Sequence, residues 1–89
     1  MVYLITYDLY KPKQNYEGLY NAIKNCGSWA KPVESVWLID TNQNANQIYE
    51  RLKPYIDKDD RILVTETGRD RSGWLLSEIW NWLNGRKAA

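Results

Sequence analysis

Few residues in this chain could do chemistry, and Asp8 is the first of them. It is a carboxylate where the run Met1-Val2-Tyr3-Leu4-Ile5-Thr6-Tyr7 should end, and nearly every residue of that run is apolar, β-branched or aromatic. Such a run is a strand by composition. Set at its end, Asp8 reads either as a functional carboxylate or as a strand-end group paired with a cation such as Arg61, an exposed ion pair worth about 0–1 kcal/mol. Lys11, Lys13, Arg69 and Arg71 lie in loop-like stretches, where exposed cations can grip phosphate. Arg69-Asp70-Arg71 reads equally as an alternating-charge loop. Trp74, Trp80 and Trp82 could stack nucleobases, but their helical spacing favours packing. Cys26 falls on an apolar helical stripe and reads as core. The chain contains no His, so a histidine base or histidine metal ligands are excluded and nothing of that kind activates the thiol. Gly68 to Gly73 lacks the spacing of a phosphate-binding loop.

The elements that must position these groups follow from periodicity. In the first strand Val2, Leu4, Thr6 and Asp8 face one side and Tyr3, Ile5, Tyr7 and Leu9 the other. Both sides are apolar, as in a central strand covered on both faces. Pro12 cannot continue a ladder. Tyr16, Leu19, Tyr20, Ile23 and Cys26 then mark a helix over about 15–26, with Asn15 as N-cap and Gly27 as the glycine that ends it. Ser28 to Lys31 reads as a short strand, Pro32-Val33-Glu34 as a turn or bulge, and Ser35 to Asp40 as a strand. Asn44 and its polar neighbours offer N-caps for a second helix carrying Ala45, Ile48, Tyr49, Leu52 and Ile56, with a kink or a new final turn at Pro54. Asp57-Lys58-Asp59-Asp60 reads as a solvated connection and Arg61 to Thr67 as the last strand. A closing helix is expected over about 72–84, capped by Ser72 or Asp70 and carrying Leu75, Leu76, Ile79, Trp80 and Leu83.

This order, β-α-β-β-α-β-α, predicts an α+β fold: a ferredoxin-like β-α-β-β-α-β sandwich with an antiparallel sheet in the order 4-1-3-2 and an added C-terminal helix. One domain over 1–89 is expected, with its core in 1–67. The order puts Asp8 near Glu34, Ser35, Asp60 and Arg61. The two helices cover one sheet face, so the other must be covered by the closing helix folding back or by a second chain. A symmetric homodimer is the favoured expectation.

With 12 Lys and Arg against 11 Asp and Glu, net charge makes no case for nucleic acid, so phosphate binding needs a local cluster. A lone cysteine fits a reducing compartment. No basic signal region and no membrane-length apolar run is visible, so a cytoplasmic protein with no membrane partner is expected.

Tyr7-Asp8 closing a hydrophobic first strand, in a β-α-β-β-α-β chain of this size, resembles CRISPR-associated protein 2, the small ferredoxin-like dimer of the spacer-acquisition machinery. The related virulence-associated protein D ribonucleases share the plan. Tyr7-Asp8-Leu9, Trp37 to Asp40 and Gly73-Trp74 are similar to short bacterial and phage proteins, some labelled as a SinR family. The repressor that label suggests finds no helix-turn-helix here. The likeness covers about residues 1–67. It implies that Asp8 is a catalytic and metal-ligating residue, shared across a dimer, holding Mg²⁺ or Mn²⁺ for hydrolysis of RNA or DNA. Lys11, Lys13, Arg61, Arg69 and Arg71 are then the nucleic-acid-binding candidates. The alternatives are a non-catalytic dimeric scaffold, a protein-interaction module or a toxin–antitoxin component. The chain departs from the family in three respects: a helix start reduced to Lys11 and Lys13, a Trp-rich helix where the family has a fifth strand, and near-neutral charge.

Overall fold

The structure is a computed structural model and describes residues 1–10 and 16–86. Lys11, Lys13 and Asn15 lie outside the described residues. The elements run β1 (Val2–Asp8), α1 (Glu17–Lys24), β2 (Ser28–Val33), β3 (Val36–Asp40), α2 (Ala45–Leu52), β4 (Arg61–Glu66) and α3 (Ser77–Asn84), with a 3₁₀ turn over Lys53–Tyr55. The strands form one sheet in the order β2-β3-β1-β4, the expected ferredoxin-like arrangement. β1 is antiparallel to both neighbours, pairing Ile5 with Trp37 on one side and Val64 on the other.

Local chemistry explains most boundaries. α2 opens with a reciprocal capping box: Gln47 N–H donates to Asn44 Oδ1 and Asn44 N–H donates to Gln47 Oε1, each at 2.8 Å, so two donors at the helix start are satisfied at once. Pro54 has no N–H to continue an α-helix, and the chain tightens there into the 3₁₀ turn. The β2–β3 connection is a two-residue turn, Glu34-Ser35, closed by the Val33–Val36 pair. Ser35 holds φ at 60°, a left-handed conformation that costs a non-glycine residue about 1–2 kcal/mol. The pairing slips between Ala30 and Val33, so the irregularity lies inside β2, and Pro32 and Val33, expected in the connection, belong to the strand.

Two helix expectations are corrected. α1 ends at Lys24 with Asn25 as a right-handed cap, so Gly27 is not its left-handed terminator. Gly27 serves a close approach instead: a Cβ there would stand 2.2 Å from the Asp40 carbonyl oxygen. The closing helix starts at Ser77, not 72, and Leu76 occupies its N-cap position in place of Ser72 or Asp70. Residues 67–76 form no helix or strand and carry the chain from the end of β4 to α3, which packs against β2. Leu75 packs inward on the way, while Trp74 is 98% exposed.

The two sheet faces are covered unequally. One carries the main core, where Ile5, Leu19, Ile23, Ile39, Ile48 and Leu52 are fully buried between β1, β3, α1 and α2; each such side chain contributes about 1.5–3 kcal/mol. On the other face α3 folds back, and Leu83 joins Val2, Ala30 and Leu38 with Ile79, Trp80 and Trp82 around them. Arg86 ties the end of that helix down. Its guanidinium lies 3.9 Å from the Trp82 ring centroid, donates to Ser28 Oγ at 2.7 Å and ion-pairs with Asp40 at 3.3 Å. α3 does not reach β4: on this face Leu63 is 57% exposed, and Val33 at the sheet edge is 50% exposed.

Candidate active site at the end of the first strand

Asp8 ends β1 directly opposite Arg61, the first residue of β4. Strand alternation puts it on the side of Val2, Leu4 and Thr6, the face that α3 covers in part. Its side chain is exposed, and among the described residues it has no hydrogen bond or ion pair. The structural pairing with Arg61 does not form: the guanidinium Nη1 of Arg61 donates instead to the backbone carbonyls of Asp59 and Asp60, at 3.4 and 3.2 Å. Ser35 reaches the site through its backbone, its carbonyl accepting from Tyr7 N–H at 3.2 Å.

Asp60, not Asp8, is the buried carboxylate here, which corrects at that one residue the reading of 57–60 as a solvated connection; Lys58 and Asp59 are exposed as expected. It is 7% exposed. Its Oδ1 accepts from Tyr10 N–H at 2.8 Å and from the Tyr16 hydroxyl at 3.0 Å, and its Oδ2 accepts from Asp57 N–H at 2.7 Å. Burial raises its pKa, but the hydrogen bonds from Asp57, Tyr10 and Tyr16 outweigh that, and the carboxyl titrates below its ordinary value. Asp60 thus holds together the chain leaving β1, the start of α1 and the turn before β4. No sequence spacing announces this role, because Tyr16 lies 44 positions away.

Asp8 lies on the walls of two depressions. The smaller, about 270 Å³, is bounded by Thr6, Arg61 and Leu63 on the bare sheet face. The larger, about 710 Å³, opens toward α1. Its aromatic lining includes Tyr7, Tyr20 and Trp37, with Trp37 Nε1 donating to the Tyr7 hydroxyl at 3.0 Å. Burial raises the Tyr7 pKa, the Trp37 hydrogen bond opposes this, and Tyr20 and Glu34 add to the rise, so Tyr7 is a neutral phenol.

The other predicted residues are dispersed. Arg69 and Arg71 follow β4, whose last residue Glu66 pairs with Tyr3, so they stand at the opposite end of the sheet from Asp8. Arg71 is occupied in holding the connection to α3, donating to the carbonyls of Gly68 at 2.9 Å and Leu83 at 3.3 Å. Trp80 and Trp82 pack in the second core. Cys26 is buried as expected, its thiol donating to the Ala22 carbonyl at 3.3 Å. Among the described residues no three His, Cys, Asp or Glu side chains gather to hold a metal ion, and no helix is long and apolar enough to cross a membrane.

A four-stranded antiparallel sheet in this order, with an aspartate unpaired among the described residues at the end of its central first strand, defines a small ferredoxin-like protein with a candidate site at a strand end. The family described as CRISPR associated protein Cas2 matches residues 1–72, and the chain belongs to that family. No solved structure matches the chain significantly.

Proposed function

We propose that this protein acts on RNA or DNA as a homodimer, with the Asp8 carboxylates of its two copies holding Mg²⁺ or Mn²⁺ for phosphodiester hydrolysis. One observation carries the reading: Asp8 is exposed, has no partner among the described residues, and stands beside the sheet face that α3 leaves bare. A second copy packed on Leu63 and Val33 would cover that face and bring the two Asp8 residues toward a common axis. Asp60 spends its oxygens on internal hydrogen bonds, so it adds no free carboxylate beside Asp8. Mg²⁺ keeps several waters and takes one or two carboxylates, so the donor set fits once two chains share it. The ion, when bound, would lower the pKa of a coordinated water and offset phosphate charge. Among the described residues Arg61 engages only Nη1, which leaves donors for a phosphate oxygen. Arg69 is exposed and adds charge at the far end of the sheet. The buried lone thiol suits the cytoplasm.

The test is cleavage of short single- and double-stranded RNA and DNA with Mg²⁺, Mn²⁺ or EDTA, beside sedimentation of the protein alone. Activity that needs metal and disappears in Asp8→Asn, with stability changed by less than about 0.5 kcal/mol, is the expected result. Cleavage that survives Asp8→Asn removes the catalytic reading. A second reading, a dimeric nucleic-acid scaffold without catalysis, is favoured by the absence of any three-residue metal cluster among the described residues. It predicts binding with no cleavage.

A further inference from the structure

The larger cleft beside Asp8 is built from groups that the hydrolytic reading does not use. Tyr7 and Tyr20 stand with ring centroids 6.2 Å apart and planes 33° from each other, and Tyr20 and Trp37 are stacked at 6.1 Å and 29°. The three rings form a row along the cleft. Tyr7 and Tyr20 are only half-buried, so part of each ring faces the opening. Two cations sit over the same row. Lys24 Nζ lies 5.0 Å from the Trp29 ring centroid and 5.9 Å from that of Trp37, and Lys31 Nζ lies 5.6 Å from that of Trp37.

This arrangement asks for a particular ligand. Lys31 Nζ donates to the Val33 carbonyl at 3.1 Å, and each ammonium has three donors, so both lysines keep donors that an anion seated over the indole can take. Aromatic faces beside a cationic rim are what a nucleotide meets in single-strand binders, where the base stacks and the phosphate is neutralised. The carboxylate of Glu34 and the hydroxyl of Ser35, also on the lining, can accept from the N–H groups on a base edge. A volume of about 710 Å³ lies within the usual range for small-molecule sites. A paired base has both faces stacked in its own duplex and cannot offer one to a tyrosine.

We infer that the cleft lined by Tyr7, Tyr20, Trp37, Lys24, Lys31 and Glu34 binds one nucleotide of single-stranded nucleic acid, its base against the tyrosines and its phosphate on the two lysines. The inference rests on the proposed action on nucleic acid and names the form of strand that the site takes. Asp8 is on the same wall, so a strand seated in the cleft carries its next phosphate toward that carboxylate.

The experiment is fluorescence anisotropy of a labelled short oligo(dT), and of a hairpin duplex of the same length, with EDTA present so that nothing is cleaved. The natural protein should bind the single strand more tightly. Tyr20→Leu, which keeps an apolar group but loses the ring, should weaken single-strand binding at least about fivefold, and Tyr20→Phe should not. The double variant Lys24→Gln/Lys31→Gln changes only exposed side chains. It should lower the slope of log affinity against log salt by about 0.7, the loss expected for one neutralised phosphate on a single strand. A natural affinity and slope in the lysine variant would overturn the cleft even if Tyr20→Leu were misfolded. Nucleic-acid binding that survives all cleft substitutions would leave the proposed function standing and remove this site. No binding by the natural protein would remove both.

Discussion

The hydroxyl of Tyr16 donates to Oδ1 of Asp60 at 3.0 Å, joining the approach to α1 to the turn before β4 inside the protein. Asp60→Asn keeps the shape and loses the charge that makes three hydrogen bonds strong, at about 1.5–3 kcal/mol each for a charged partner. We expect it to lower stability by about 2–3 kcal/mol in urea unfolding, with an unchanged m-value. The pH dependence has a definite sign. The folded pKa of Asp60 lies below its ordinary value of 3.8, so near that pH the unfolded chain binds more protons than the folded one. Its stabilisation is therefore complete above the ordinary value and lost as pH falls through the folded one. Asp60→Asn should flatten the stability profile in that acid window; a profile as steep as that of the natural protein would show that Asp60 is not its source.

Gly27 lies against backbone, not against a yielding side chain. The Asp40 carbonyl oxygen would be 2.2 Å from an added Cβ, so either the end of β3 or the chain leaving α1 must move. Gly27→Ala should cost about 1–3 kcal/mol, in the range for overpacked sites, seen as a lower thermal midpoint. An unchanged midpoint would mean that the two segments separate freely.

Ser35 holds its left-handed conformation without being glycine. Ser35→Gly and Ser35→Asn should be neutral or stabilising by up to about 1 kcal/mol, and Ser35→Val should destabilise by more than that. Chemical denaturation of the three variants gives the order directly. A Val variant as stable as the Gly variant would contradict the geometry of this turn.

Leu63 is exposed on the sheet face beyond the reach of α3. In the proposed dimer it is buried, so Leu63→Lys should give a monomer in sedimentation equilibrium while the far-ultraviolet spectrum and the fold stay intact. A dimer that persists in this variant would place the contact elsewhere.

How much of this was legible beforehand can be followed residue by residue. The alternation in Val2 to Asp8, the helical stripes from Tyr16 and Ala45, and the stop at Pro54 are local patterns of side-chain chemistry, and they carry the element order and with it the strand order. The placing of Asp8 near the starts of β3 and β4 followed from that order alone, and the structure adds its register opposite Arg61. The ends of α1 and α3 did not, because they depend on where the chain packs against distant segments. Gly27 reads as a helix terminator until Asp40 is seen against it, and Trp74-Leu75-Leu76 reads as helix until residues 67–76 are seen to carry the chain from β4 to α3.

By itself the sequence determined which residues are apolar and at what period, hence the strands, the helices, the sheet order and an aspartate at the end of a central strand. Tertiary structure alone decided which charges are available. It buried Asp60 under three hydrogen bonds, turned Arg61 onto backbone carbonyls, tied Arg71 to Gly68 and Leu83, and gathered Tyr7, Tyr20, Trp37, Lys24 and Lys31 around one cleft. The physical reason is that periodicity is a property of neighbours along the chain. The partners of a charge or a ring are chosen by packing between segments tens of residues apart.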